Sequence, residues 1–165
     1  MPDRYFDITD EAPNGGRYVG SVHTAGPWNP QLAHGGPPSA LLVRAAERLA
    51  AHEAGRRDLI ALRYAAEFVG PVPVGEVEVA ARVVRIARSA VLVNATLSGS
   101  GRVCLDARIW LVRDADTGSI GHPPRPIPAP SDALPGLELS FPYGDSIDWR
   151  AEQGSLVAPG PAVFW

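Results

Sequence analysis

Cysteine is nearly missing from this chain: Cys104 is the only one among 165 residues. A single cysteine excludes an internal disulfide framework and a cysteine-rich zinc site with it. The histidines do not compensate, because His23, His34, His52 and His122 are scattered and no two stand four residues apart. No metal and no other cofactor is therefore expected. Long apolar runs are missing too, and nothing approaches the roughly 20 residues that span a bilayer as a helix. The opening Met1-Pro2-Asp3-Arg4 has no apolar region of the signal-peptide kind, so the expected address is the cytoplasm, with no membrane partner. Charge is equally unremarkable. A net charge of -3 without blocks of like sign gives no basic field for a nucleic acid.

What is present is ordinary globular composition, 45% hydrophobic and 20% charged, enough for one sizeable domain and a small appendage. Residues 5–9 are rich in strand formers, and Asn14-Gly15-Gly16 supplies turn chemistry before a second strand over residues 18–22. Asp7 and Asp10 are expected to cap or end the first strand. A loop over residues 23–36 leads into a helix predicted from Pro37 to Ala54, with prolines in its first turn and Gly55 as its stop. Ala40, Leu41, Leu42, Val43, Ala45, Ala46, Leu49 and Ala50 make the first half of that helix apolar on most sides, so it has to be enclosed. Strand-like segments follow at 59–69, 75–87, 90–98 and 102–113, joined by turns too short for crossover helices, hence antiparallel. In the last of them Val103, Leu105, Ala107, Ile109 and Leu111 are expected on one face, and Cys104, Asp106, Arg108 and Trp110 on the other. The fold class is α+β, a long central helix wrapped by a curved antiparallel sheet.

The order strand, strand, helix, four strands carries a resemblance through three stretches. These are Trp28-Asn29-Pro30 leading into His34-Gly35-Gly36-Pro37-Pro38-Ser39-Ala40-Leu41-Leu42, then Phe68-Val69-Gly70-Pro71-Val72-Pro73-Val74-Gly75, then the strand over 102–113. Together they resemble the thioesterase-like branch of the acyl-CoA thioesterase superfamily, over residues 5–165. The resemblance implies a hotdog fold that hydrolyses, or at least binds, fatty acyl-CoA or a related acyl thioester, and it looks like the N-terminal repeat of a double-hotdog protein. The implied organisation is a hotdog domain over residues 1–120, a proline-rich linker over 121–136, and the start of a second, incomplete repeat over 137–165. In related medium-chain thioesterases the catalytic Asp, hydroxyl residue and Gln lie in the second repeat, at positions without a counterpart in this sequence. Single-repeat relatives place an Asp or Glu on the central helix. Here residues 39–46 hold no carboxylate, and Glu47, the first, is expected to pair with Arg44 or Arg48.

Thioester hydrolysis needs an activated water and donors for the developing oxyanion. A helix N-terminus supplies backbone N–H groups, and since Pro37 and Pro38 cannot donate, Gly36 leads, followed by Gly35 and Ser39. The glycines also serve simply to shape a tight entry into the helix. His34 either polarises a carbonyl or orients water, or else fixes the turn through loop backbone. Asn29 either holds a water or a pantetheine amide, or makes a turn before Pro30. The catalytic candidates are thus Gly36, His34 and Asn29. The substrate-binding candidates are Gly35, Ser39, Trp28, Tyr64 and Phe68, the aromatics lining an acyl tunnel or packing the core. Arg63, Arg85 and Arg88 are candidates for the CoA phosphates. A homodimer or higher homo-oligomer is expected, since a hotdog sheet leaves an edge to pair. Two other readings share the fold: a non-catalytic acyl-thioester-binding or scaffolding domain, and a hydroxyacyl-thioester dehydratase.

Overall fold

A computed structural model of the chain describes residues 4–116, 118–119, 121, 131, 134–156 and 158–165. Most of the linker expected over residues 121–136, namely 122–130 and 132–133, lies outside the described residues.

The first hairpin pairs β1 (Phe6–Ala12) with β2 (Gly15–Gly20). Its tight turn falls at Pro13-Asn14, so both strands are set earlier or longer than strand propensity alone implies. Asp7 and Asp10 lie inside β1 rather than at its end, each opposite a β2 residue. The reason is that β1 is an edge strand with most side chains in solvent, where acidic residues cost little.

Helix α1 (Gly36–Ala54) begins one residue before the first proline and stops at Gly55, whose φ of 62° is the left-handed turn that glycine takes without penalty. Leu41, Leu42, Ala45, Ala46, Leu49 and Ala50 are all buried. They pack against a six-stranded antiparallel sheet in the order β1-β2-β4-β5-β6-β3, with β3 (Leu59–Phe68), β4 (Glu76–Ile86), β5 (Ala90–Gly99) and β6 (Arg102–Arg113). Inward residues of successive strands, among them Val79, Val93, Leu97, Leu105, Ile109 and Leu111, close the core over the helix. Each such aliphatic side chain removed from water contributes about 1.5–3 kcal/mol.

The inward row of β6 departs from strict alternation at one place. A register shift between Leu97 and Ser98 sets Leu97 opposite Leu105 and Ser98 opposite Val103, leaving Cys104 as the extra, bulged residue. Val103 is therefore exposed and Cys104 buried, the reverse of the expected assignment. A bulge reverses the facing of every residue beyond it.

Helix and hairpin are clamped by charge. Glu11 on β1 accepts from Arg44 and pairs with Arg48, both on α1, and Tyr18 Oη donates to the same carboxylate at 2.8 Å. Glu47, expected as the partner of those arginines, is exposed. The tertiary partner wins because three donors converge on one largely buried carboxylate, which no single helix neighbour can match.

Residues beyond 134 add a smaller antiparallel sheet, β7 (Gly136–Leu137), β8 (Trp149–Gln153) and β9 (Val163–Phe164), with the short helix α2 (Pro142–Asp145) between its first two strands. This segment turns back onto the body. Tyr143 N–H donates to Ala25 O at 3.2 Å, and the Tyr5 and Ser146 hydroxyls are 2.6 Å apart.

Candidate functional site at the helix N-terminus

The loop before α1 is held from both sides by backbone hydrogen bonds. His34 N–H donates to Thr24 O at 2.7 Å, Ala33 N–H to Val72 O at 2.9 Å, and Val74 N–H to Gln31 O at 2.8 Å. Thr24 is fully buried, and its hydroxyl donates to Ser21 O at 2.7 Å. The Phe68-to-Gly75 stretch is thus a wall of this loop. Residues 24–34 and 68–75 are adjacent in space although the helix and a strand separate them in sequence.

At the tip, Gly36 N–H donates to His34 Nδ1 at 3.2 Å. That bond occupies the N–H expected to lead as oxyanion donor, and it leaves the proton of the neutral imidazole on Nε2. Burial lowers the His34 pKa below its ordinary value, so the ring is neutral at pH 7. Ser39 closes the first turn twice, its N–H and its hydroxyl both reaching Gly35 O, at 3.2 and 2.7 Å. Tyr64 Oη in turn donates to Ser39 Oγ at 3.0 Å. Phe68 lies flush on Gly35, its ring 3.0 Å from where a Cβ would stand.

Gly35, Ser39, Tyr64 and Phe68 therefore share one side of the helix N-terminus, facing β3. His34 and Trp28 share another, their rings near-parallel with centroids 6.0 Å apart. Trp28 is 81% exposed, so it walls the rim rather than a tunnel. Asn29 does not reach the site with its carboxamide oxygen, which accepts the Gln31 N–H at 2.8 Å in a local turn. Arg63, Arg85 and Arg88 are all exposed.

Two residues at the site were not anticipated from the sequence. Tyr143 stacks on His34 with ring centroids 4.4 Å apart and planes at 21°, and Phe141 follows at 6.2 Å and 28°. The Tyr143 hydroxyl stands over Gly36, where any Cβ would collide with it. The only local signal was an aromatic, glycine-containing run, Phe141-Pro142-Tyr143-Gly144, far along the chain. Among the described residues no carboxylate hydrogen-bonds or ion-pairs with His34, Gly35 or Gly36, and no group of three or more His, Cys, Asp or Glu is arranged to hold a metal. Nor is any helix among them long and apolar enough to cross a membrane.

Against known families, residues 24–112 match the family described as Acyl-CoA thioesterase N-terminal domain. The chain belongs to this family. The match starts at the buried Thr24 and ends one residue before the end of β6, so it takes in the whole loop, the central helix and the four long strands. No curated protein matches. Solved structures agree on the fold. A conserved protein of unknown function with a hot dog fold from Alicyclobacillus acidocaldarius superposes with a TM-score of 0.68 at 18% identity, over 91% of this chain and 53% of its own. This chain thus spans about half the length of that protein. A conserved Pseudomonas aeruginosa protein gives 0.54 at 19% identity, over 60% of this chain and 78% of its own. A Streptococcus mutans protein solved bound to acetyl-CoA gives 0.56 at 12% identity, over 69% and 92%. The fold of this thioesterase-family domain is the hotdog.

Proposed function

We propose that this domain binds acyl-CoA thioesters at the His34-Gly35-Gly36 loop and hydrolyses them as part of a two-hotdog unit. Family membership and the acetyl-CoA held by the Streptococcus mutans structure support the ligand class. The observation that carries the reading is the helix N-terminus itself. It presents a rigid loop, a neutral imidazole with Nε2–H as donor, and aromatic walls on two sides. In hydrolysis a water oxygen adds to the thioester carbonyl, the C–S bond then breaks, and the CoA sulfur leaves to take up a proton. A base is needed to accept the water's proton. With no carboxylate bonded to the loop, we assign that base to the second hotdog of the unit.

The unit forms, in this reading, along β3. That strand ends the sheet, pairing only with β6, and carries exposed Ile60, Leu62 and Phe68. An apolar edge strand with free backbone donors and acceptors is a template for pairing. Residues 137–165 are then the opening of a second repeat. In support, the Alicyclobacillus protein superposes on 91% of the chain, well beyond the first six strands.

The test is a panel of acyl-CoAs with release of free thiol as the readout. Turnover at one or more chain lengths is expected where a second copy of the chain, paired along β3, supplies the second hotdog. Folded protein that releases no thiol at any length, yet binds a non-hydrolysable acyl-CoA analogue, moves the assignment to an acyl-thioester-binding domain. That second reading is favoured by the same missing carboxylate.

A further inference from the structure

Between the His34 loop and the C-terminal segment lies a cavity of about 650 Å³, within the size range of pockets that hold small-molecule ligands. One wall is His34. The others come from residues 137–164, and Leu137, Leu139, Ile147, Trp149, Leu156 and Phe164 make them chiefly apolar. Two of the lining residues, His34 and Tyr143, carry polar hydrogens. His34 Nε2–H and the Tyr143 hydroxyl have no hydrogen-bond partner among the described residues, while the rings that carry them are stacked and mutually positioned. An apolar space lined by two donors on stacked rings fits a ligand with an apolar chain and an oxygen acceptor at its head. The carbonyl and chain of an acyl thioester meet this description.

We infer that this cavity takes the acyl chain of the thioester, with its carbonyl oxygen held between Tyr143 Oη and His34 Nε2. The inference rests on the acyl-CoA reading above and adds to it the location of the chain. Acyl length is then selected by residues outside the matched family region, on the segment that closes over the loop. Tyr143 acts as a positioning residue, its ring setting the imidazole plane and its hydroxyl the carbonyl.

The experiment measures binding to the full chain by titration calorimetry with two analogue series. One series holds ketones in which a methylene replaces the thioester sulfur, and the other holds S-alkyl thioethers with no carbonyl. Each runs from two carbons upward. Affinity of the unaltered protein is expected to rise with chain length. Ala151→Leu, in the cavity wall, should remove about tenfold of the affinity for the longer ketones while leaving the two-carbon one unchanged. Leu156→Trp repeats the test at a half-exposed wall position where folding is not at stake, with circular dichroism as the control for both. Tyr143→Phe should weaken ketone binding about threefold to tenfold and leave thioether binding unchanged, as expected for one hydrogen bond. If both wall variants bind every chain length like the unaltered protein, the cavity is not the acyl site, although acyl-CoA binding stands. Equal weakening of ketones and thioethers by Tyr143→Phe overturns the carbonyl role. Failure of the unaltered protein to bind any analogue overturns the acyl-CoA reading itself.

Discussion

The body over residues 4–116 and the segment over 134–165 are built on opposite principles. In the body, a 19-residue helix and strands of up to 12 residues enclose a continuous core of fully buried aliphatic side chains. In the segment, the strands run from two to five residues, and among its described residues only Gly144 and Ser146 are buried. Neither contributes appreciable apolar burial. The body is therefore held by its own core, whereas the segment takes its order from docking. Its contacts include the Tyr143 and Phe141 rings on His34, the Tyr5 ring near Tyr143, the Tyr143 N–H to Ala25, and the Tyr5–Ser146 hydroxyl pair. Elements with few buried apolar contacts open at low free-energy cost. The half of the candidate site that comes from the body is thus rigid, and the half that comes from the segment is the part able to move.

The largest effect should come from breaking the body. Leu42→Ala removes a fully buried helix side chain, and urea unfolding should show a loss of about 2–5 kcal/mol. Smaller is the clamp between hairpin and helix. The Arg44 hydrogen bond, partly opposed by burial and aided by Tyr18 and Arg48, lowers the Glu11 pKa below 4.5. A depressed carboxylate pKa stabilises the fold above the unfolded value, and that stability is lost as pH falls from about 4.5 through the folded pKa. Glu11→Gln should accordingly cost about 1 kcal/mol at pH 7, the half-exposed arginines leaving the pair partly screened by solvent, and almost nothing in strong acid.

Smaller still in global stability, but specific to the segment, is Gly36→Ala. Alanine suits a helix better than glycine, by up to about 1 kcal/mol in an interior and less at this first position, yet its Cβ collides with the Tyr143 hydroxyl. The expected outcome is an unchanged or raised melting temperature together with faster proteolysis and amide exchange across 137–165. Unchanged exchange there would show that the segment is not docked through Tyr143. Tyr143→Ala makes the smallest change in stability and a clear one at the site. With the ring gone, His34 regains solvent, and its pKa, read by NMR titration, should rise toward 6.5.

Legibility followed the same divide. Pro37, Pro38 and Gly55 delimit α1 because each acts through its own backbone chemistry, and the enclosed helix was evident from apolar residues on most of its faces. Short turns fixed the antiparallel pairing of β4 with β5 and of β5 with β6, but not the place of β3, which pairs with β6 rather than with its neighbour in sequence, β4. Wherever a distant partner decides, local pattern was not enough. Glu47 is the near neighbour of Arg44 and Arg48, but the carboxylate they reach is Glu11 on another element. Cys104 and Val103 exchange faces because of pairing with β5, which no periodicity within β6 encodes. At the site, the residues around His34-Gly35-Gly36 were recognisable as a group, whereas Gly36's engagement with His34 Nδ1 and the separation of Trp28 from Phe68 depend on how the loop is held.

Composition, turn chemistry and hydrophobic period were therefore sufficient for an enclosed helix with antiparallel strands around it, while the hotdog itself came from the resemblance carried by the His34-Gly35-Gly36 and Phe68-to-Gly75 stretches. These are local properties, written within a few residues of where they act. That Tyr143 returns across more than 100 residues to stack on His34 and cover Gly36 belongs to the tertiary structure alone. Such a contact depends on two surfaces fitting in space, and neither the loop nor the segment carries a local signal that names the other.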